Sequence, residues 1–142
     1  MSRKEALQEK LPALLSYFSA QENILTVLLF GSFGTDLYNT QSDLDIAILF
    51  KKKIPLLEEM KIAADLTLIL ERDDIDLVNL NDARVDLCHE ILCSGEIIYE
   101  KDRLLTANFI EKTLKHYFDY GLTLKKMKDD FWEQLKEETK RG

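Results

Sequence analysis

Hydrophobic and polar positions follow two periods along the chain, and each change of period marks the boundary of a predicted element. Apolar residues recur every three or four positions where a helix is expected, whereas short apolar runs such as ILTVLLF and alternating runs such as DLDIAILF indicate strands. The predicted elements, in order, are helix 2–19, strand 24–30, strand 43–50, helix 55–71, strand 74–80, helix 81–93, strand 96–99 and helix 102–140. This alternation of helices and strands predicts an α/β or α+β domain.

The same periods predict which side chains face the core. Strand 43–50 is expected to direct Leu44, Ile46, Ile48 and Phe50 to one face, and Asp43, Asp45 and Ala47 to the other. The inner face of helix 55–71 is predicted to consist of Leu56, Met60, Ala63, Ala64, Thr67 and Leu70.

Helix boundaries follow from capping residues. Asn81 or Asp82 is expected to cap the helix that ends near Cys93, and Gly95 to end it. Strand 96–99 is expected at an edge of the sheet. The final helix carries apolar positions close to a heptad spacing, and Gly121 could divide it into two helices.

Composition and charge limit the classes of protein to which the chain can belong. The chain has 142 residues, with 26 Asp and Glu against 19 Lys and Arg, for a net charge of −7. This length predicts a single domain over residues 1–142, with a core at about 20–100 and a C-terminal helical segment at about 102–140. The acidic balance argues against direct nucleic-acid binding through a broad basic surface.

Cysteine usage and hydropathy bear on the compartment. Cys88 and Cys93 are close in sequence with only His89 beside them, which predicts two buried or half-buried thiols in a reducing cytosol rather than a metal site. No apolar run has the length of a secretory signal or of a membrane span. We therefore expect a cytoplasmic protein without a membrane partner.

The candidate chemistry begins with two carboxylates. Asp43 and Asp45 lie at positions i and i+2 of a strand, so both project from the same face. Two neighbouring carboxylates repel each other unless a cation lies between them, and Mg²⁺ prefers such oxygen ligands together with substrate phosphates. Upstream, Gly31 allows close approach of the backbone to a phosphate, and Ser32 offers a hydroxyl and an N–H.

A third acid is needed for phosphoryl or nucleotidyl transfer. Two metal ions need more than two carboxylates, and the attacking hydroxyl needs a proton acceptor. Strand 74–80 supplies Asp76, flanked by Ile75 and Leu77, and it joins the acidic pair if this strand lies beside strand 43–50. Asp74 begins the strand, where an acid is usually solvated, so we favour Asp76.

These residues carry a resemblance to a known family. The segment GSFGTDLYNTQSDLDIAIL resembles the core motif of the DNA polymerase β-like nucleotidyltransferase superfamily, and IDLVNL resembles the strand that carries its third acid. The small size and the segment VDLCHEILCSGEIIYE are similar to the minimal nucleotidyltransferases, which include the MntA-type antitoxins encoded beside a HEPN toxin. The resemblance covers roughly residues 20–100.

The resemblance implies a small mixed β-sheet flanked by helices and transfer of AMP from Mg-ATP, in the antitoxins onto a tyrosine hydroxyl of the HEPN toxin. Gly31 and Ser32 would hold the triphosphate, Asp43 and Asp45 would bind the metal ions, of which two are expected, and Asp76 would bind one metal and help deprotonate the acceptor. ATP is then the substrate and a HEPN-type toxin the expected protein partner.

The match departs from the family at one place. Thr35 and Asp36 stand where many relatives have a basic residue and then Gly, which removes a phosphate-binding cation and adds a negative charge. The turn Lys51–Lys53 could compensate, although solvated charge is the more frequent role of such a turn.

The acceptor and the oligomeric state stay open. A bare core favours a protein acceptor that brings its own docking surface, and the amphipathic C-terminal helix offers a face for a homo- or hetero-oligomer. The alternatives are an antibiotic-type transferase whose cleft is completed in a dimer, and a non-catalytic antitoxin subunit that neutralises its partner by binding.

Overall fold

The computed structural model describes residues 3–30 and 44–141. In chain order the elements are α1 (Arg3–Ala20), β1 (Ile24–Phe30), β2 (Leu44–Phe50), α2 (Leu56–Leu70), β3 (Ile75–Asn79), α3 (Val85–Ser94), β4 (Glu96–Glu100) and α4 (Arg103–Arg141). Every predicted helix and strand is therefore present with the predicted type.

The four strands form one mixed sheet in the order β3-β2-β1-β4. Strand β1 pairs antiparallel with both β2 and β4, whereas β2 and β3 run parallel. This arrangement confirms the mixed sheet and the edge position of β4. It also places the strand of Asp76 beside the strand of Asp45, the condition on which the third acid depended.

Helices cover both faces of the sheet. On one face, α1 and α2 pack on the residues of β2 that alternation assigned together, and the buried cluster there includes Leu14, Phe18, Ile46, Ile48 and Leu66. On the other face, α3 packs on a smaller cluster that includes Leu28, Ala47, Leu49, Cys88 and Ile91. The alternation predicted for β2 is confirmed.

The inner face predicted for α2 is correct at Leu70, which is buried, and in part at Ala63 and Thr67, which are half-buried, but it is wrong at the other positions. The buried residues of α2 are Ile62, Leu66 and Leu70, whereas Leu56 and Met60 are 69% and 59% exposed. Apolar residues lie on more than one side of this helix, so its period is compatible with two orientations. The packing against α1 and the sheet selects the orientation that buries the larger branched side chains.

The cap predicted for α3 is also wrong. The helix begins at Val85 with Arg84 at the N-cap, and no side chain caps it. Asn81 instead binds the end of β2: its Oδ1 accepts from the Phe50 N–H at 2.8 Å, and its Nδ2 donates to the Phe50 carbonyl at 2.9 Å. Gly95 ends the helix as predicted, and a Cβ there would lie 2.6 Å from the Ile91 carbonyl oxygen.

Helix α4 is continuous through Gly121, so the predicted division is not observed. A single glycine costs a helix about 1 kcal/mol relative to alanine, which the turns on either side can absorb. Asp102 caps the helix, because its Oδ1 accepts from the Leu104 and Leu105 N–H groups at 3.0 and 3.2 Å. From Gly121 to Lys140 every side chain is exposed, a length of about 30 Å.

The two cysteines differ in environment. Cys88 is buried as expected, and burial, together with the charge of Asp86, raises the pKa of its thiol. Cys93 is exposed, so the expectation of burial is wrong for this residue. Among the described residues, no helix is both long enough and apolar enough to cross a membrane.

Candidate functional site

Asp45 and Asp76 occupy the same register position on the parallel strands β2 and β3. Neighbouring strands lie about 4.7–4.9 Å apart, and side chains at matched positions of a parallel pair project from the same face. The structure thus brings together two of the three acids that the sequence singled out.

Both acids lie near the first residues of their strands, at one end of the sheet. Asp45 is partly exposed and Asp76 is exposed, and the residues that follow at alternate positions, Ala47 and Val78, pack in the cluster beneath α3. Both carboxylates therefore stand where this buried cluster ends.

Asp74 has a different role. Its carboxylate forms an ion pair with Arg72, and its carbonyl accepts from the Leu44 N–H at 3.0 Å. These contacts tie the start of β3 to the start of β2. Asp74 therefore helps to hold the two strands in register, while Asp76 carries the carboxylate beside Asp45.

The other predicted site residues, Gly31, Ser32 and Asp43, lie outside the described residues, as do Thr35 and Asp36. Phe30, which immediately precedes Gly31 in sequence, pairs with Asp45 across β1 and β2. The chain therefore enters the predicted Gly-Ser segment from a residue that neighbours the acidic pair.

The donor set suits a hard divalent cation. Carboxylate oxygens are the ligands that Mg²⁺ prefers, and Mg²⁺ commonly takes only one or two of them alongside substrate phosphates. Within residues 3–30 and 44–141, no group of three or more His, Cys, Asp or Glu side chains converges on a possible metal position. The predicted third carboxylate, Asp43, lies outside the described residues.

The lysines of the turn after β2 lie far from the acids. Lys51–Lys53 follow the last residue of β2, whereas Asp45 is near its beginning. At about 3.3 Å per residue, Asp45 and Lys51 are separated by about 20 Å along the strand direction. The lysines of this turn are therefore too far away to contact the paired acids.

Sequence reasoning did not find the contact between His89 and Tyr117. Their rings stack with centroids 3.6 Å apart and an angle of 2° between the planes, and this contact joins α3 to α4. The Sγ of Cys93 lies 3.6 Å from the His89 Nε2. The two rings belong to different helices, so no local spacing in the sequence reports the contact.

Comparison with known proteins gives a family and related structures. The family model described as polymerase beta nucleotidyltransferase matches residues 13–104. A relative named protein adenylyltransferase MntA, from Shewanella oneidensis, is 30% identical over 94 residues, which cover 64% of this chain. The alignment also spans 64% of the length of that relative, slightly less than two thirds.

Two solved structures share the fold over nearly their whole length. A crystal structure of a toxin–antitoxin with AMP-PNP matches with a TM-score of 0.70 and 25% identity, covering 86% of this chain and 95% of that one. A structure of the tri-AMPylated Shewanella oneidensis HEPN toxin in complex with MNT antitoxin matches with a TM-score of 0.69 and 23% identity, covering 87% and 96%. At that identity the second likeness concerns the fold alone.

Proposed function

The chain belongs to the polymerase beta nucleotidyltransferase family, and from that membership we propose that it transfers AMP from ATP to a hydroxyl group of a partner protein. The partner we propose is a HEPN toxin with a tyrosine as acceptor, so the chain acts as an antitoxin. The observation that carries the proposal is the pairing of Asp45 with Asp76 at one end of the sheet. The likeness to an adenylyltransferase and to a toxin–antitoxin with AMP-PNP supports the same activity.

Asp43, Asp45 and Asp76 are the residues that would hold Mg²⁺, with two ions in the working complex, and Gly31 and Ser32 would hold the triphosphate. When bound, Mg²⁺ neutralises the negative charge of the transferring group and of the leaving pyrophosphate. The observed donors support this assignment because both described carboxylates face the same side and are reachable from solvent.

Asp76 has the second task of receiving the proton of the acceptor hydroxyl. The acceptor oxygen forms a bond to the α-phosphorus while the bond from that phosphorus to the bridging oxygen breaks, and pyrophosphate leaves with the bonding electrons. An exposed carboxylate suits this role, because a tyrosine on the surface of another protein must reach it.

The distal part of α4, residues 121–140, is the surface that we propose for the toxin. It exposes large apolar side chains that a soluble monomer rarely displays together, among them Leu124, Met127, Phe131 and Trp132 at 46%, 62%, 59% and 53% exposure. An amphipathic helix of this kind fits a hydrophobic groove or a second helix on a partner.

We propose that residues 1–142 form a single nucleotidyltransferase domain, with the distal part of α4 as a C-terminal helical extension. The cytoplasm is the proposed compartment, because ATP is the substrate and both thiols are free.

The experiment uses ATP labelled at the α-phosphate, with Mg²⁺ and the proposed partner, a HEPN toxin. Wild type is compared with Asp45→Asn and with the control Asp73→Asn, whose carboxylate is exposed just before β3. Label in the toxin that depends on Asp45 and not on Asp73 supports the proposal. Label in small molecules favours the antibiotic-type transferase, and neutralisation of the toxin without label favours the non-catalytic subunit; either result contradicts the proposal.

A further inference from the structure

A cavity of about 370 Å³ lies on the α3 side of the sheet, away from the paired acids. Leu49, near the end of β2, Leu80 after β3 and Phe109 of α4 form its apolar walls. Its volume falls within the range of pockets that hold small molecules. Leu49 is four residues from Asp45 along β2, so the cavity and the acids are about 13 Å apart along that strand.

Thr113 of α4 lines this cavity and is only 5% exposed. The other buried polar residues have partners: Thr26 and Thr106 share a hydrogen bond of 2.6 Å, and Asn79 binds Asn81 and Asp82. Within the described part of the chain, the Thr113 hydroxyl makes no hydrogen bond. A buried hydroxyl without a partner is destabilising, so its presence calls for a group that is not part of these residues.

The remaining lining residues include three basic side chains, Lys53, Lys112 and His116, and no carboxylate among those described. Neither lysine forms an ion pair within residues 3–30 and 44–141. The protein as a whole carries a net charge of −7, so this local excess of basic groups runs against its composition. Lys112 and His116 also line a neighbouring groove with Glu111 and Asp119.

We propose that this cavity is a second ligand site, distinct from the nucleotidyl-transfer site, for a small molecule that carries one phosphate group and a planar ring system. Lys53 and Lys112 bind the phosphate, because ammonium groups at the mouth of a site attract and hold such an anion. The half-buried ring of Phe109 offers a surface on which a planar ring stacks. The Thr113 hydroxyl supplies a hydrogen bond to the ring system or to its sugar.

The test uses the full chain, labelled with ¹⁵N, and the probes AMP and CMP in the absence of Mg²⁺. Amide signals are followed around Thr113 and Leu80, and separately around Asp45 and Asp76. We expect saturable shifts around Thr113 with at least one of the two probes. Adenosine lacks the phosphate group and inorganic phosphate lacks the ring system. Each should therefore bind more weakly than the nucleotide, by about tenfold or more.

Matched variants test whether the nucleotide probe binds in the cavity. Thr113→Val keeps the shape and removes the hydroxyl, and Lys53→Met removes a charge at the cavity. The control Lys52→Met removes the same charge one residue away, at a lysine that does not line the cavity. We expect both cavity variants to weaken the probe about tenfold or more, and Lys52→Met and Asp45→Asn to leave it unchanged.

Three results would overturn the proposal: no shift around Thr113 with either nucleotide, shifts confined to the region of Asp45 and Asp76, or equal weakening by Lys52→Met and Lys53→Met. None of these results contradicts adenylyl transfer, which the labelled-ATP assay tests separately. Failure of the cavity proposal therefore leaves the proposed function in place, and the reverse also holds.

Discussion

Asp45 and Asp76 face each other across β2 and β3 at the same register position, although 31 residues separate them in sequence. The parallel pairing of the two strands is what joins them, and the bond from the Leu44 N–H to the Asp74 carbonyl fixes that register at its first position. Two like charges at this spacing repel, and a divalent cation removes the repulsion. The proposed function places a divalent metal ion at this pair of carboxylates.

Metal affinity should depend on each member of this pair. Asp45→Asn and Asp76→Asn should each weaken binding of Mn²⁺, used in place of Mg²⁺, by about tenfold or more, since each removes one charged ligand (about 1.4 kcal/mol). Electron paramagnetic resonance of free Mn²⁺ measures the affinity. Asp73→Asn, which changes an exposed carboxylate near the pair, should bind as wild type does. Equal loss in all three variants would indicate a general effect of charge instead.

The orientation of α2 should determine how much a substitution on each of its faces lowers the free energy of unfolding. Leu66 is fully buried, so Leu66→Ala should lower the free energy of unfolding by about 2–5 kcal/mol. Met60 is 59% exposed, so Met60→Ala should change it by about 0.5 kcal/mol or less. Urea unfolding measures both values, provided that the dependence of the free energy of unfolding on urea concentration is unchanged in the variants. A larger loss for Met60→Ala would support the face predicted from the sequence over the face observed.

The sequence was sufficient for the helices and strands because these depend on local patterns. The run ILTVLLF can only be buried on both faces, and the alternation in β2 separates the Ile46 face from the Asp45 face. The preference for Asp76 over Asp74 rested on position within the strand. In the structure Asp74 forms an ion pair with Arg72, whereas Asp76 lies beside Asp45 on the neighbouring strand.

The predictions that were wrong concern features that tertiary contacts determine. The face of α2 depends on which side meets α1 and the sheet, and Asn81 was expected to cap a helix but binds Phe50 instead, 31 residues away. The cavity around Thr113 is formed by β2, α3 and α4, and no segment of the sequence reports it. The roles of Gly31, Ser32, Asp43, Asp45 and Asp76 stay predictions.

The contact between Tyr17 and Asp65 should make stability depend on alkaline pH. The Tyr17 hydroxyl donates to Asp65 Oδ2 at 2.8 Å and joins α1 to α2. Burial, and then the hydrogen bond and charge of Asp65, raise the pKa of Tyr17 above its ordinary value of 10.0. The unfolded chain thus loses this proton at lower pH than the folded chain does, and stability falls as the pH rises above about 10.

Tyr17→Phe removes this titration, so its stability should fall less steeply between about pH 9 and about pH 11. Urea unfolding of the two proteins across that range isolates the effect, because every other titrating group is present in both. Identical slopes would show that folding does not raise the pKa of Tyr17, which would contradict the prediction.

The distal part of α4 should be needed for the partner and not for the fold. Phe131 is 59% exposed, so Phe131→Asp should leave the free energy of unfolding within about 0.5 kcal/mol of wild type. The same change buries a charge in the proposed interface and should weaken binding of the toxin about tenfold or more. Calorimetry measures the binding, with Glu133→Asp, which keeps the charge on the same helix, as the control. Unchanged binding would place the interface elsewhere.

The most direct test of the account is the rate at which AMP is transferred to the toxin in a single turnover at saturating Mg-ATP. If the paired carboxylates perform the transfer, Asp45→Asn and Asp76→Asn should each lower this rate by about 100-fold or more, while Asp73→Asn stays within a fewfold of wild type. Spectra must also show that all four proteins are folded. Transfer at the wild-type rate by either Asp45→Asn or Asp76→Asn would contradict the assignment of the site.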